Sequence, residues 1–302
     1  MARMRRAYEM QNDHMSMTKS ALVLAGGGVA GIAWETGVLL GLQDEQPEVV
    51  AEILAPETTF VGTSAGSTVA AQLAGGTPLQ QLFELQTSPK TAELQVDLDL
   101  QKLMAMMGGA MTGASSPEEV RQRIGAIALA ADTVPAATRR AAIDARLPNK
   151  EWTTHPLLIP AIDTATGELR VFDRTSGVSL VDAVAASCAV PGIWPPVEIE
   201  GRFYMDGGMR TGANADLAAG AERILILVPG PMQGPMGPAL SEAELDALEP
   251  GRVHAVFADD ASIAAIGVNP LDPSTRPGAA QAGRELGRRF AAEIAAFWRP
   301  GT

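Results

Sequence analysis

Twice in its first third the chain passes from a short apolar run through closely set glycines into a helical stretch, and this repeated unit restricts the fold more than any other feature. Residues 21–25 stop at Gly26, Gly27 and Gly28, after which residues 32–42 continue apolar with few breakers. Residues 58–61 are β-branched and aromatic, residues 62–66 supply a turn, and residues 68–74 run on as a helix closed by Gly75 and Gly76. Strand, tight turn and helix in this succession build sheets whose strands are parallel and buried on both faces.

The later part of the chain repeats the alternation. Residues 157–162 and 169–172 read as strands joined by the turn-forming Thr166 and Gly167, and residues 203–205 and 224–228 add two more of the kind buried in parallel sheets. Ser179 with Asp182 opens a short helix that must end before Pro191. Strands alternating with helices predict an α/β fold, a three-layer α/β/α sandwich on a mainly parallel central sheet. Between residues 78 and 147 there is no strand pattern but several helix starts, the clearest at Ser116, Pro117 and Glu119, and this third reads as a helical cap or insertion. Residues 229–238, rich in Pro, Gly and Met, read as a surface loop. Ser241 with Glu244 caps a helix beyond it, and residues 279–298 form a terminal helix. A single α/β domain over residues 20–302 is expected, with a helical C-terminal part from about residue 241.

Charge narrows the function. With 35 acidic and 23 basic residues the net charge is -12, so the chain lacks the positive surface that a nucleic-acid partner requires. Cys188 is the only cysteine, which forbids an intrachain disulfide and a cysteine-based metal site and fits a reducing cytoplasm. Asp259 and Asp260 are neighbours that diverge on a helix, and no His or Glu completes a metal set beside them; neither metal nor cofactor is expected. Arg3, Arg5 and Arg6 are followed by the polar Gln11, Asn12 and Asp13 where a signal peptide has its apolar stretch, so residues 1–19 read as a flexible tail. No run of about 18 apolar residues supports a membrane span. Any membrane contact is expected to be transient and peripheral, through apolar groups and not through charge.

Gly62-Thr63-Ser64-Ala65-Gly66 has the form G-x-S-x-G, in which a serine sits on a sharp strand-to-helix turn with a helix N-terminus behind it. Such a serine needs a base to take its proton. Histidine is the usual one, and the chain has three: His14 in the tail, His155 at a strand entry where a structural role is expected, and His254, which stays available. A buried carboxylate can do the same work. Asp206 follows the strand at 203–205 and precedes Gly207 and Gly208, so its carboxylate emerges at a strand end beside unhindered backbone. Gly26, Gly27 and Gly28 supply N–H groups at a loop entering a helix, and these form an oxyanion hole if they converge. The same loop fits a rival pattern, since Gly26, Gly28 and Gly31 satisfy G-x-G-x-x-G, with Glu45 or Glu48 as the residue that would hold a nucleotide's ribose.

Glycine loop, G-x-S-x-G and Asp-Gly-Gly, each at a strand end and in this order, resemble the patatin-like phospholipases, in particular bacterial patatin-like acyl hydrolases. Ala185-Ala186-Ser187-Cys188-Ala189-Val190-Pro191-Gly192 and residues 195–214 extend the resemblance, which covers about residues 20–230. It implies a patatin-like fold and a serine hydrolase of lipid or other acyl-ester substrates that needs no cofactor. Carried onto this chain, Ser64 is the nucleophile and Asp206 its base. Gly26, Gly27 and Gly28 form the oxyanion hole, supported by Gly62, Gly66, Gly207 and Gly208. The chain departs from the family at Ala30, where the glycine loop usually carries Arg or Lys. Three readings stay open beside it: a Ser64, Asp206 and His254 triad in the chain order of the α/β-hydrolases, a nucleotide site on the 26–31 loop, and a non-catalytic acyl-binding relative. Met104, Met106, Met107 and Met111, close to Leu100 and Leu103, are adaptable thioethers expected to line or cover an acyl site.

Overall fold

The computed structural model describes residues 20–299 apart from residues 97, 99, 235 and 236; the tail expected at 1–19 lies outside the described residues. The first strand–helix units are β1 (Ser20–Leu24), α1 (Gly28–Glu45), α2 (Pro47–Ile53), β2 (Thr59–Gly62) and α3 (Ala65–Ala74). Four helices follow, α4 (Leu79–Thr87), α5 (Leu100–Met111), α6 (Pro117–Ala130) and α7 (Ala136–Arg146). Then come β3 (Leu157–Asp163), β4 (Leu169–Phe172), α8 (Leu180–Ser187), β5 (Val197–Ile199), β6 (Arg202–Asp206) and β7 (Arg223–Val228). The last elements are α9 (Glu242–Ala247), β8 (Arg252–Phe257), α10 (Asp260–Ile266) and α11 (Arg276–Trp298).

Eight strands form one sheet in which β8, β7, β1, β2 and β3 lie side by side and parallel. Alternate residues of β1 serve opposite faces: Leu22 and Leu24 pack with Trp34, Val38 and Phe60, whereas Ala21 and Val23 pack with Val61, Ile224 and Ile226. A strand covered on both faces has no polar side, which is why it reads as an unbroken apolar run. On the first face α1 lies against α11 with backbones almost touching; a Cβ at Gly41 would sit 2.0 Å from the Arg284 carbonyl oxygen. On the second face Ile162 and Met205 are covered by Ala110 of α5 and Ile124 of α6. The mainly parallel three-layer α/β/α architecture expected from the alternation is the one observed.

In the helical third, Ser116 Oγ accepts from Glu119 N at 3.2 Å to cap α6, and Ser241 with Glu244 forms a reciprocal capping box on α9. The segment between α4 and α5 is tied down by Glu93, whose two carboxylate oxygens each accept from Arg146 of α7 at 2.7 Å. Three details differ from the sequence reading. The strand at 203–205 is antiparallel to β3, not parallel. Strands β5 and β8 were not anticipated, and the 229–238 loop carries a small pairing of Gln233–Gly234 with Gly237–Pro238.

The edge of β3 facing β2 carries a second strand. Ala161 pairs with Arg170 of β4 and with Asp206 of β6, so these two strands occupy opposite edges of β3. Phe60 N donates to Pro156 O and Thr164 N donates to Phe203 O, while Asp163 N donates to Glu168 O. Because successive peptide groups face alternate edges, β2 and β6 share one edge and run head to head along it. Their C-terminal ends meet there: β2 leads into Ser64 and β6 ends at Asp206.

Candidate active site

Ser64 follows β2 by two residues and has φ 52° and ψ -115°, a left-handed conformation unfavourable for any residue with a Cβ. The surroundings hold it there. Ser64 N donates to Ser187 Oγ at 3.0 Å, and Ser64 O accepts from Ser67 Oγ at 2.6 Å and from Cys188 Sγ at 3.1 Å. Gly66 allows α3 to start hard against β1: a Cβ there would lie 2.0 Å from Leu24 O. Gly62, the last residue of β2, pairs with Leu24 of β1.

Ser64 Oγ donates to Asp206 Oδ2 at 2.7 Å, and the other carboxylate oxygen accepts from Gly208 N at 2.7 Å. Both side chains are buried, Asp206 at 3% exposure. Burial raises the Asp206 carboxyl from 3.8 to about 6; the hydrogen bonds from Ser64 and Gly208 and the nearby Arg139 charge oppose the rise. The two halves are fastened together by Asn214, a fully buried residue with φ 49°. Its Nδ2 donates to Thr63 Oγ1 at 3.2 Å beside the serine and to Gly207 O at 3.2 Å beside the aspartate.

The glycine loop borders this pair. A Cβ at Gly26 would lie 3.4 Å from Ser64 Cβ. The Gly26 amide is committed, donating to Gly212 O at 2.8 Å, whereas the Gly27 and Gly28 amides at the N-terminus of α1 have no acceptor among the described residues. Of the three expected oxyanion donors, Gly27 and Gly28 are therefore the ones with an N–H to offer. Ala30 is fully buried, with its amide donating to Pro270 O at 3.0 Å, so the position carries no charge and has no room for a long basic side chain.

A small cleft opens at Ser64, lined also by Gly28, Arg139, Arg146, Cys188 and Trp194. None of the four methionines lines it. Met107 packs with Ala110 and Ile124, Met106 lies beside Gly192, and Met104 and Met111 are exposed. Sequence reasoning missed Arg139 and Asn214 as site residues and gave Ser187 no role. Ser187 at least lay inside a stretch already singled out, and Asn214 closed another.

The other candidate residues are elsewhere. His254 is on β8, two strands beyond β1, with its ring 5.3 Å from Phe297 and Nδ1 3.9 Å from Glu293, both on α11. His155 stacks on Phe60 at 3.9 Å between ring centres, and burial lowers its pKa. Neither completes a triad with Ser64. Glu45 ends α1, an 18-residue helix and thus about 27 Å from the glycine loop, and Glu48 pairs with Arg299, so no acidic residue of the nucleotide pattern reaches that loop. Asp259 caps α10 through Ser262 N at 2.9 Å and pairs with Arg289. Among the described residues no cluster of three His, Cys, Asp or Glu side chains is placed to hold a metal ion.

Among solved structures the chain is similar to VipD from Legionella pneumophila, at 13% identity and a TM-score of 0.44, covering 91% of this chain and 67% of that one. It is also similar to the type III effector protein ExoU, at 18% identity and a TM-score of 0.38, covering 91% of this chain and 53% of that one. A family model for patatin-like phospholipase matches residues 22–219, which is about two thirds of the chain and runs from β1 past Ser64 and Asp206 to just beyond Asn214. The chain belongs to the patatin-like phospholipase family.

Proposed function

We propose that the protein is a serine acyl-ester hydrolase acting on lipid substrates through a Ser64–Asp206 dyad. The observation that carries this reading is the 2.7 Å hydrogen bond from a strained, buried serine to a buried carboxylate at the meeting point of two strand ends. Family membership implies a lipid acyl hydrolase; the assignment of the dyad rests on the geometry.

In this mechanism Ser64 Oγ attacks the ester carbonyl carbon while its proton passes to Asp206 Oδ2. The carbonyl oxygen, now an oxyanion, accepts from the Gly27 and Gly28 amides, aided by the positive end of the α1 dipole. Collapse breaks the ester C–O bond, and the leaving alcohol takes the proton from Asp206. Water then attacks the acyl-enzyme, gives its proton to Asp206 and releases the acid, the proton returning to Ser64. A base must be ionised at the working pH and still hold a proton well enough to return it. A carboxyl near 6 meets both needs where an ordinary aspartate would be a weaker base.

Contact with lipid is peripheral in this reading. No helix among the described residues is long and apolar enough to cross a membrane, while Met104 and Met111 of α5 and Ile127 and Leu129 of α6 are exposed apolar side chains. The test is covalent labelling with a fluorophosphonate followed by peptide mass spectrometry. The label is expected on Ser64 in the wild type, nowhere in Ser64→Ala, and at a rate reduced at least a hundredfold in Asp206→Asn. A label on another serine, or equal rates in wild type and Asp206→Asn, would overturn the proposal.

A further inference from the structure

One charge at the cleft has no part in the mechanism above. Arg139, in the first turn of α7, is 5% exposed, and its Nε and Nη1 have no hydrogen-bond acceptor among the described residues. Its guanidinium lies 3.8 Å from the centre of the Trp194 ring and lines the same cleft as Ser64 and Gly28. The nearby carboxylates act on it through space only, and neither hydrogen-bonds to it. Glu93 spends both oxygens on Arg146, and Asp206 spends its oxygens on Ser64 and Gly208. Cys188 is pushed up by burial and stays a thiol, and Arg146, the other cation lining the cleft, repels.

A buried guanidinium whose N–H groups meet no anion directly is costly, and its contact with an aromatic ring offsets only part of that cost. Burial lowers its pKa to about 9, which leaves it charged at neutral pH. Its planar fork of N–H donors matches a carboxylate or phosphate edge, and the Trp194 ring backs it at 3.8 Å. The neighbouring Arg140, by contrast, pairs with Asp182. Arg139 is thus poised for an anion that arrives with a ligand.

We propose that Arg139 is a specificity-determining residue of this cleft, its guanidinium on Trp194 binding an anionic oxygen group, phosphodiester or carboxylate, carried by the substrate within a few bonds of the ester that Ser64 attacks. This rests on the reading of Ser64 as the nucleophile. It places the cation on the helical segment between β2 and β3 and not on the glycine loop, where Ala30 is buried and uncharged. It also predicts that a neutral ester of the same acyl chain is the poorer substrate.

The test compares kcat/KM for dihexanoylphosphatidylglycerol, for a hexanoyl ester bearing a free carboxylate, and for neutral dihexanoylglycerol, in the wild type, Arg139→Lys and Arg139→Met. The anionic-to-neutral ratio is expected to fall about ten- to hundredfold in Arg139→Met, mostly through KM, and to recover in part in Arg139→Lys. The anionic substrate whose ratio falls identifies the group bound. If Arg139→Met does not fold, Arg139→Gln replaces it.

A second arm measures binding of dihexanoylphosphatidylglycerol and of inorganic phosphate to Ser64→Ala and to Ser64→Ala/Arg139→Met by calorimetry. Tighter lipid binding with Arg139 present is expected, and it would stand even if the wild type hydrolysed no ester, in which case only the hydrolase reading fails. Binding of phosphate alone, equally tight and equally dependent on Arg139, would mean a free-phosphate site and overturn the substrate role. Equal losses on neutral and anionic esters would show a structural role only, and ratios and binding indifferent to Arg139 would remove the proposal while leaving the dyad intact.

Discussion

Replacing Asp206 with Asn should abolish most activity and yet stabilise the protein, by an amount that depends on pH. The Asp206 carboxyl stands near 6 in the folded chain against 3.8 ordinarily, chiefly because burial disfavours its charged form. The folded state therefore holds this proton more tightly than the unfolded state does. Between pH 3.8 and 6 stability must fall as pH rises, and above 6 the loss is complete. A shift of about two units corresponds to about 3 kcal/mol at neutral pH. Asparagine carries no charge to desolvate: its oxygen can still accept from Gly208 N, and its amide can donate to a rotated Ser64 hydroxyl in place of the present bond. Urea unfolding of both proteins at pH 8 and at pH 4.5 measures the difference. Asp206→Asn should be more stable by up to about 3 kcal/mol at pH 8, with the gap closing towards pH 4. A gap that does not change with pH, or a wild type more stable than the variant at pH 8, would refute the argument that Asp206 is strained by burial.

Three further outcomes follow from the same geometry. The pH profile of kcat/KM for an uncharged ester should rise with unit slope below about pH 6 and level off above it; a profile already flat from pH 4.5 would contradict a base near 6. Gly66→Ala would drive a Cβ into the Leu24 carbonyl and should cost about 3 kcal/mol or more, or prevent folding, as read by thermal melting; a loss under about 1 kcal/mol would mean that the backbone relaxes easily. Glu93→Gln leaves Arg146 buried without its carboxylate and should destabilise by about 3–5 kcal/mol in urea unfolding, whereas a neutral result would show that the pair is solvated.

Much of this was legible in the sequence because the informative elements are local. A short apolar run followed by small residues can be read within ten positions, and β1 with the glycine loop, β2 with the Ser64 turn, and Asp206 at a strand end were all found that way. What escaped depends on distant contacts. The residues of β8, Arg-Val-His-Ala-Val-Phe, alternate weakly because it is an edge strand, so no clear two-residue period marks them as a strand. β5 is only three residues long and is defined by its pairing with β6. The antiparallel sense of β6 depends on the direction in which the chain returns to β3, which no local pattern encodes.

The site divides in the same manner. Arg139 and Arg140 are adjacent in a helix rich in Ala and Arg, and only the fold sends one to Trp194 at Ser64 and the other to Asp182 on α8. Gly26, Gly27 and Gly28 look equivalent as letters, but a single hydrogen bond to Gly212 takes the Gly26 amide out of use. The methionines were grouped by closeness in sequence. In the helix their side chains point in different directions, one towards the core and two towards the surface, since residues one or two apart do not share a face.

The central claim, that Ser64 and Asp206 alone carry out nucleophilic ester hydrolysis, is tested most directly by measuring hydrolysis of p-nitrophenyl esters of short to long chain with a chelator present. The wild type, Ser64→Ala, Asp206→Asn and His254→Ala are compared, each shown to be folded. Activity in the wild type and in His254→Ala, with at least a hundredfold loss in each of the other two, is the predicted result. Activity that survives in Ser64→Ala, or that disappears in a folded His254→Ala, would contradict the account.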